Sequence, residues 1–128
     1  MPVWRWVSLD AALAAHLEQL AEHGGAEGIR DEGLFESAMA RPQNSAAYGE
    51  PDAATLAANY AFGLARNHAF IDGNKRTALV VSELFLAKNG SRVESNEAET
   101  LAIFLDLAAG ELSEEELADW FRERIRPA

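Results

Sequence analysis

Residues 67–88, NHAFIDGNKRTALVVSELFLAK, decide how the rest of the chain is interpreted. From Thr77 onward the stretch is mostly apolar on all sides, which is typical of a helix that lies in a protein core. The residues before Thr77 include a histidine, a carboxylate, a glycine and two adjacent cations. The stretch therefore predicts a buried central helix, Asn74–Lys88, whose N-terminus carries a polar loop suited to chemistry.

The first turn of this helix is suited to binding an anion. A helix N-terminus presents unpaired backbone N–H groups and the positive end of the helix dipole. Lys75 and Arg76 add full positive charges where cations are otherwise disfavoured, and an arginine can hold a phosphate through two parallel hydrogen bonds. A bound anion removes this conflict. In a chain whose net charge is −10, the pattern predicts a nucleotide phosphate pocket.

The loop before the helix supplies residues for a transfer reaction. Histidine is the side chain best suited to accept a proton near neutral pH, so His68 is a candidate proton acceptor for a substrate hydroxyl. Asp72 is a hard, anionic ligand that either holds Mg²⁺ on the phosphate oxygens or orients His68. Gly73 lets a phosphate approach the backbone, and Asn74 either caps the helix or donates its amide to phosphate. Phe70 is expected to point into the core. Without its neighbours, Asp72-Gly73-Asn74 is also an ordinary turn and cap.

The remaining sequence predicts more helices and almost no strand. Capping residues, capping-box patterns and glycine or proline stops give six predicted helices, which are Leu9–His23, 32–41, Ala53–Asn67, Asn74–Lys88, 97–109 and 114–126. Pro42 is expected to end the second helix, so residues 43–51 are predicted to form an exposed loop or short hairpin. The strand candidates are residues 3–7 and 91–94. We therefore expect one all-α domain over 1–128, a compact helical bundle around the buried central helix.

Composition limits the class of protein. The 128 residues include no cysteine, which excludes disulfides and thiolate metal sites and fits a reducing cytosol. The first six residues contain no apolar signal region, and no stretch approaches the roughly 20 apolar residues of a membrane span. The chain has 21 acidic and 11 basic residues and no basic stripe, which argues against direct nucleic-acid binding. We expect a cytoplasmic protein that contacts neither membrane nor nucleic acid.

The segment HAFIDGNKR at residues 68–76 resembles the signature of the Fic/Doc superfamily, and specifically its death-on-curing (Doc) branch. The RDEGL stretch at 30–34 and the pair Arg41-Pro42 are also similar to death-on-curing proteins. The resemblance therefore covers nearly the whole chain, although the 68–76 motif is far more specific than the rest. It implies a compact Fic fold and a toxin that a cognate antitoxin neutralises in trans.

The resemblance also implies a role for each motif residue. It makes His68 the general base for the target hydroxyl and Asp72 the carboxylate that binds metal or orients His68. It makes Asn74, Lys75 and Arg76 phosphate ligands at the helix start, with Phe70 structural. By the same resemblance, residues 43–51 match the flap on which the target peptide lies.

Two departures from the wider Fic pattern indicate the reaction. That pattern has glycine at the position of Lys75 and a second arginine at the position of Leu79. Both substitutions occur in Doc, so the resemblance implies kinase-like transfer of the γ-phosphate of ATP, with Mg²⁺, to a threonine of elongation factor Tu, which arrests translation. Two alternatives remain: transfer of AMP or another NMP to a protein hydroxyl, and a non-catalytic module that binds nucleotide and acts through its partner.

Overall fold

The structure, a computed structural model, describes residues 3–128 and confirms the all-α prediction. Across those residues the chain forms six helices and one two-stranded sheet. In chain order they are α1 (Leu9–His23), α2 (Glu32–Ala47), α3 (Ala53–Asn67), α4 (Asn74–Lys88), β1 (Ser91–Val93), α5 (Glu97–Ala108), α6 (Glu114–Arg124) and β2 (Ile125–Pro127). None of these helices combines the length and the apolar character that crossing a bilayer requires. The bounds of α1, α3 and α4 are those predicted.

A buried central helix is confirmed, but it is α3 and not α4. Ten of the 15 residues of α3 are buried, against six of the 15 in α4. Helix α3 packs against α2, α4 and α6. Its many alanines let these neighbours approach closely, and a Cβ added at Gly63 would lie only 3.1 Å from the Cα of Ala38 in α2. Helix α4 covers one face of α3, which leaves Leu79, Val80 and Leu84 only half-buried.

The predicted end of the second helix is wrong. Helix α2 passes through Pro42 and ends at Ala47, so most of the predicted loop 43–51 is helical and only its last residues are irregular. Proline inside a helix costs about 3 kcal/mol, because it removes a hydrogen bond and crowds the preceding turn. Here Pro42 is buried in the core, and the neighbouring Arg41 binds Glu114 of α6 through two hydrogen bonds of 2.6 and 2.7 Å. These tertiary contacts offset the local cost.

The predictions for the strands and the C-terminal helices are partly confirmed. Strand β1 lies within the predicted 91–94 segment and pairs antiparallel with β2, with Val93 opposite Ile125. Because the chain leaves α6 to form this pair, α6 ends at Arg124 and not at residue 126. Helix α5 ends at Ala108, one residue before its predicted end.

Residues 3–7 do not form the predicted strand. They run as an extended segment across the outside of α3 and α4, where the backbone N–H of Val7 donates to the Tyr60 hydroxyl at 3.0 Å. Trp4 and Trp6 pack against Phe85 of α4, with ring centroids 6.0 and 5.9 Å apart. The segment is therefore held by side chains, because no neighbouring strand offers it a ladder of backbone bonds.

Candidate active site

The loop between α3 and α4 begins with an unusual backbone conformation. His68 ends α3 with φ 51° and ψ 49°, in the left-handed region. Within residues 3–128 no other residue except glycine has a positive φ. This region is costly for a side-chain-bearing residue, and such outliers are found preferentially at functional sites. The His68 side chain is exposed, while the next two residues turn back into the core.

The connection between α1 and α2 holds this loop in place through backbone hydrogen bonds. The N–H of Ile71 donates to the carbonyl of Gly28 at 3.1 Å. The N–H groups of Arg30 and Asp31 both donate to the carbonyl of Ala69, at 2.7 and 3.2 Å. The loop therefore has a fixed neighbour along its length, and the position of His68 depends on residues about 40 positions earlier in the chain.

Two buried rings support the loop from below. Phe70 is 1% exposed, which confirms the prediction that it points inward. It stacks on the imidazole of His16, 2% exposed, with centroids 3.8 Å apart and planes 9° from parallel. The Nε2 of His16 lies 2.9 Å from the backbone oxygen of Asp72, so it carries a hydrogen and donates to that carbonyl. His16 thus fixes the turn from which α4 starts. Its position 56 residues before Asp72 gave no local signal of this role.

The side chain of Asn74 organises the loop and does not cap α4. Its Oδ1 accepts from the N–H of Phe70 and its Nδ2 donates to the carbonyl of Phe70, both at 2.9 Å. The N-cap of α4 is Gly73, with φ 79°, and no side chain bonds the first turn. The predicted capping role is therefore wrong. The N–H groups of this first turn are left to bind a ligand or solvent. Phosphate binding by Asn74 remains a prediction, through its backbone N–H or its remaining Nδ2 hydrogen.

A cavity of about 440 Å³ lies directly at the start of α4. Its size is within the usual range of small-molecule sites. It brings together five predicted site residues with the end of α1, and it is lined by His23, Gly24, Gly25, Asp72, Gly73, Asn74, Lys75 and Arg76. His68 does not line this cavity, because it lies at the opposite end of the motif loop.

The two cations of this cavity are not neutralised by carboxylates of the described residues. Lys75 and Arg76 are half-buried, and within residues 3–128 neither forms a salt bridge with a carboxylate. Most cations of residues 3–128 form no salt bridge, so it is the position of these two that is unexpected: cations are disfavoured at a helix N-terminus unless a ligand neutralises them. The charge arrangement is suited to a polyphosphate.

Asp72 lines the cavity, and its side chain contacts the segment that follows α1. Its Oδ2 accepts from the backbone N–H of Ala26 at 2.8 Å, and the structure shows no hydrogen bond between Asp72 and His68. The predicted His-orienting role therefore has no direct contact behind it in this structure and remains a prediction. Gly25 contacts the same side chain, since a Cβ there would lie 3.1 Å from the Asp72 Cβ. Metal binding by Asp72 remains a prediction. Within the described residues no group of three His, Asp or Glu side chains could hold an ion without phosphate oxygens.

The predicted flap, residues 43–51, lies at the wrong end of the domain. Helices α2 and α3 are antiparallel, since Asn67 bonds the Leu34 carbonyl at 3.2 Å and Gly63 approaches Ala38. The 15 residues of α3 span about 22 Å, and residues 43–51 lie near its first residue while His68 follows its last. The exposed segment beside the motif is residues 24–31. The length of the predicted α3 could have indicated this from sequence.

Comparison with known proteins finds a matching family and similar proteins. The profile described as Fic/DOC family matches residues 6–86, which include the motif loop and most of α4. The chain is 38% identical over 120 residues to "Protein kinase doc" of Escherichia phage P1, across 92% of this chain and 94% of that protein. It is 39% identical over 104 residues to "Toxin Doc" of Mycolicibacterium smegmatis, across 70% of this chain and 79% of that protein.

Proposed function

The chain belongs to the Fic/DOC family, and from this premise we propose that it is a toxin that transfers the γ-phosphate of ATP to a protein threonine. The expected target is a translation elongation factor of the Tu type, which would place the reaction in the cytoplasm. One observation carries the proposal: two unpaired cations, an uncapped helix N-terminus and a carboxylate share one cavity at the end of a loop that starts at His68.

The proposed reaction uses each group for one task. The threonine oxygen attacks the γ-phosphorus while its proton passes to the imidazole of His68. The bond from the γ-phosphorus to the β-bridging oxygen breaks, and ADP leaves. Lys75, Arg76 and the first N–H groups of α4 hold the phosphates and stabilise the charge that develops on them. General-base assistance of this kind contributes about 10²–10⁴ to the rate.

Magnesium fits this site only together with the nucleotide. Mg²⁺ is usually held by one or two carboxylates plus phosphate oxygens, and Asp72 is the carboxylate that lines the cavity. When bound, the ion would neutralise charge on the phosphate oxygens. The hydrogen bond from Ala26 to Oδ2 holds this carboxylate at the cavity wall.

Lys75 and Leu79 favour phosphoryl over AMP transfer. The ammonium group of Lys75 is next to the first turn of α4, where it attracts the most highly charged end of a nucleotide. Leu79, one turn further along, offers no guanidinium to hold an outer phosphate while an inner one reacts. The phage relative, whose name is "Protein kinase doc", is consistent with this choice.

Labelled nucleotide distinguishes the possible functions. The chain is incubated with ATP labelled at either the α- or the γ-phosphate, together with elongation factor, and the modified threonine is identified by mass spectrometry. We expect γ-label only, and none with His68→Ala. Transfer of α-label would establish AMP transfer instead. Growth arrest that persists with His68→Ala, without label on any protein, would establish a non-catalytic nucleotide-binding module.

We also propose that a cognate antitoxin controls the protein in trans. The relative named "Toxin Doc" supports this. Co-expression with the product of a neighbouring gene should relieve growth arrest. Arrest that no neighbouring gene product relieves would contradict this control.

A further inference from the structure

The guanidinium of Arg30 binds the end of α3 at the point where His68 leaves the helix. Its Nε donates to the carbonyl of His68 at 2.6 Å, and its Nη2 donates to the carbonyl of Asn67 at 3.1 Å. The backbone N–H of Arg30 donates to the next carbonyl, that of Ala69, at 2.7 Å. Three consecutive carbonyls therefore accept from one residue.

These contacts supply hydrogen-bond partners to groups that every helix end leaves without one. The last carbonyls of a helix have no partner within the helix, and they attract positive charge through the helix dipole. A terminal residue in the left-handed conformation is usually glycine or asparagine, because a larger side chain raises the energy of that conformation. Here the residue is His68, so an external contact must favour the conformation. Arg30 supplies that contact on both carbonyls that flank the turn.

We infer that Arg30 is a positioning residue for His68. By holding the carbonyls of Asn67 and His68, its guanidinium keeps His68 left-handed and fixes the direction in which the imidazole leaves the chain. Arg30 does not touch the nucleotide cavity, since it is absent from the cavity lining. It therefore acts on the proton-transfer step and leaves nucleotide binding unchanged. This inference rests on the proposed function for its catalytic consequence, but the conformational part stands on the hydrogen bonds alone.

Arg30 acts from an exposed position, so its effect can be separated from folding. Its side chain is on the surface, and substituting it opens no cavity in the core. Arg66 provides a matched control. It lies in the last turn of the same helix, is exposed, and stacks its guanidinium over Phe62 at 5.5 Å without bonding the loop carbonyls. Arg66→Gln removes the same charge from the same helix end.

The first arm of the test measures conformation and needs no activity. In isotope-labelled protein, the one-bond coupling between the α carbon and the α proton of His68 reports its backbone conformation, because this coupling is lower in the left-handed region than in helical or extended backbone. We expect Arg30→Gln to shift this coupling towards an average over several conformations, and Arg30→Lys, which keeps one donor group, to shift it less. Arg66→Gln should leave it at the wild-type value. A coupling unchanged by Arg30→Gln would overturn the inference.

The second arm measures transfer and nucleotide affinity separately. We expect Arg30→Gln to lower kcat by about 100-fold, the size of effect that a misplaced catalytic group produces, with the Kd for ATP unchanged. Arg30→Lys should recover part of the loss. A kcat loss no larger than that of Arg66→Gln, or a parallel loss of ATP affinity, would overturn the inference. If the wild-type chain itself transfers nothing, the proposed function fails, and the coupling measurement still decides whether Arg30 positions His68.

Discussion

The two ends of α3 use charged side chains in opposite ways. Near its first residue, Arg122 of α6 binds Asp52 with 2.7 Å between Nε and Oδ2, and Arg41 binds Glu114 through two short bonds. At the other end, Lys75 and Arg76 form no ion pair with any of residues 3–128. The first end joins helices to one another. The second end keeps its cations unpaired.

This difference indicates which charges serve the fold and which serve a ligand. At the first end of α3, burial alone would raise the pKa of Glu114, but hydrogen bonds from Arg41 and Asn59 hold that pKa below its usual value. The charges of Arg41 and Glu114 are thus paired within the chain, although the buried Oδ1 of Asn59 accepts no hydrogen bond from residues 3–128. At the motif end the satisfied groups are backbone atoms, bonded by His16, Arg30 and Asn74. The unpaired side-chain charges there are the ones that we propose bind substrate.

The largest effect expected at the motif end follows from His68→Ala. This change removes the proposed proton acceptor but no buried contact, because the side chain is exposed. The transfer rate should fall by about 10²–10⁴, with the thermal midpoint close to wild type. Turnover is measured with γ-labelled ATP and the elongation factor. Retained turnover would mean that another residue is the base. The contrast between the two ends of α3 would then say nothing about function.

The next effect tests the support beneath the motif end. His16→Ala removes the ring stacked on Phe70 and the hydrogen bond to the Asp72 carbonyl. The free energy of unfolding should fall by about 3–5 kcal/mol, as for other buried aromatic rings replaced by alanine. His16→Phe keeps the stacking and should recover much of this loss, while the affinity for ATP stays low because Asp72 is no longer held. Denaturant titration and calorimetry measure the two quantities. Wild-type ATP affinity in His16→Phe would contradict the positioning role of His16.

Nucleotide affinity tests the unpaired cations directly. Lys75→Ala and Arg76→Ala should each weaken ATP binding by about tenfold, which corresponds to one charge-assisted hydrogen bond. The loss should be larger at low salt, because screening already weakens the attraction at high salt. Lys88→Ala is the matched control, since it removes a cation from the other end of α4. Equal effects at Lys75 and Lys88 would mean that net charge, and not the site, governs binding.

The smallest effect is expected at the first end of α3, where Arg122 binds Asp52. Hydrogen bonds from Arg122 hold the pKa of Asp52 well below its usual range. A carboxyl with a lowered folded-state pKa contributes stability above its unfolded pKa of about 3.9, and this contribution is lost as the pH falls below that value. Because the pair is half-exposed, we expect about 0.5–1 kcal/mol. Urea unfolding at pH 7 and pH 3 should show a smaller pH dependence in Asp52→Asn than in wild type. An unchanged pH dependence would show that this ion pair adds no stability.

The sequence predicts correctly those features that residues close together in the chain determine. Ser8 and Asp52 accept from the N–H groups of Ala11 and Thr55 at 3.1 and 2.9 Å, so the starts of α1 and α3 follow from residues three positions apart. The motif is equally local, and all its polar residues except His68 line the cavity. Long-range contacts account for the errors. The passage of α2 through Pro42 depends on contacts with α6 and the core, which no local pattern reveals.

Long-range contacts also explain which site residues the sequence did not reveal. A lone histidine such as His16 is usually structural. Here it is structural, but the backbone oxygen it holds belongs to the turn of the candidate active site, 56 residues later. Arg30 is 38 residues from His68, and its role becomes visible only when α1, α2 and α3 are packed together. The predicted position of the flap is wrong for a related reason. The resemblance alone does not take into account that the length of α3 separates residues 43–51 from His68.

A structure of the protein with magnesium and a non-hydrolysable ATP analogue would show where the phosphates bind. We expect phosphate oxygens on the first N–H groups of α4 and on the side chains of Lys75 and Arg76, with the γ-phosphate as the phosphate nearest His68. Phosphates bound away from the start of α4, or an α-phosphate nearest His68, would contradict this expectation.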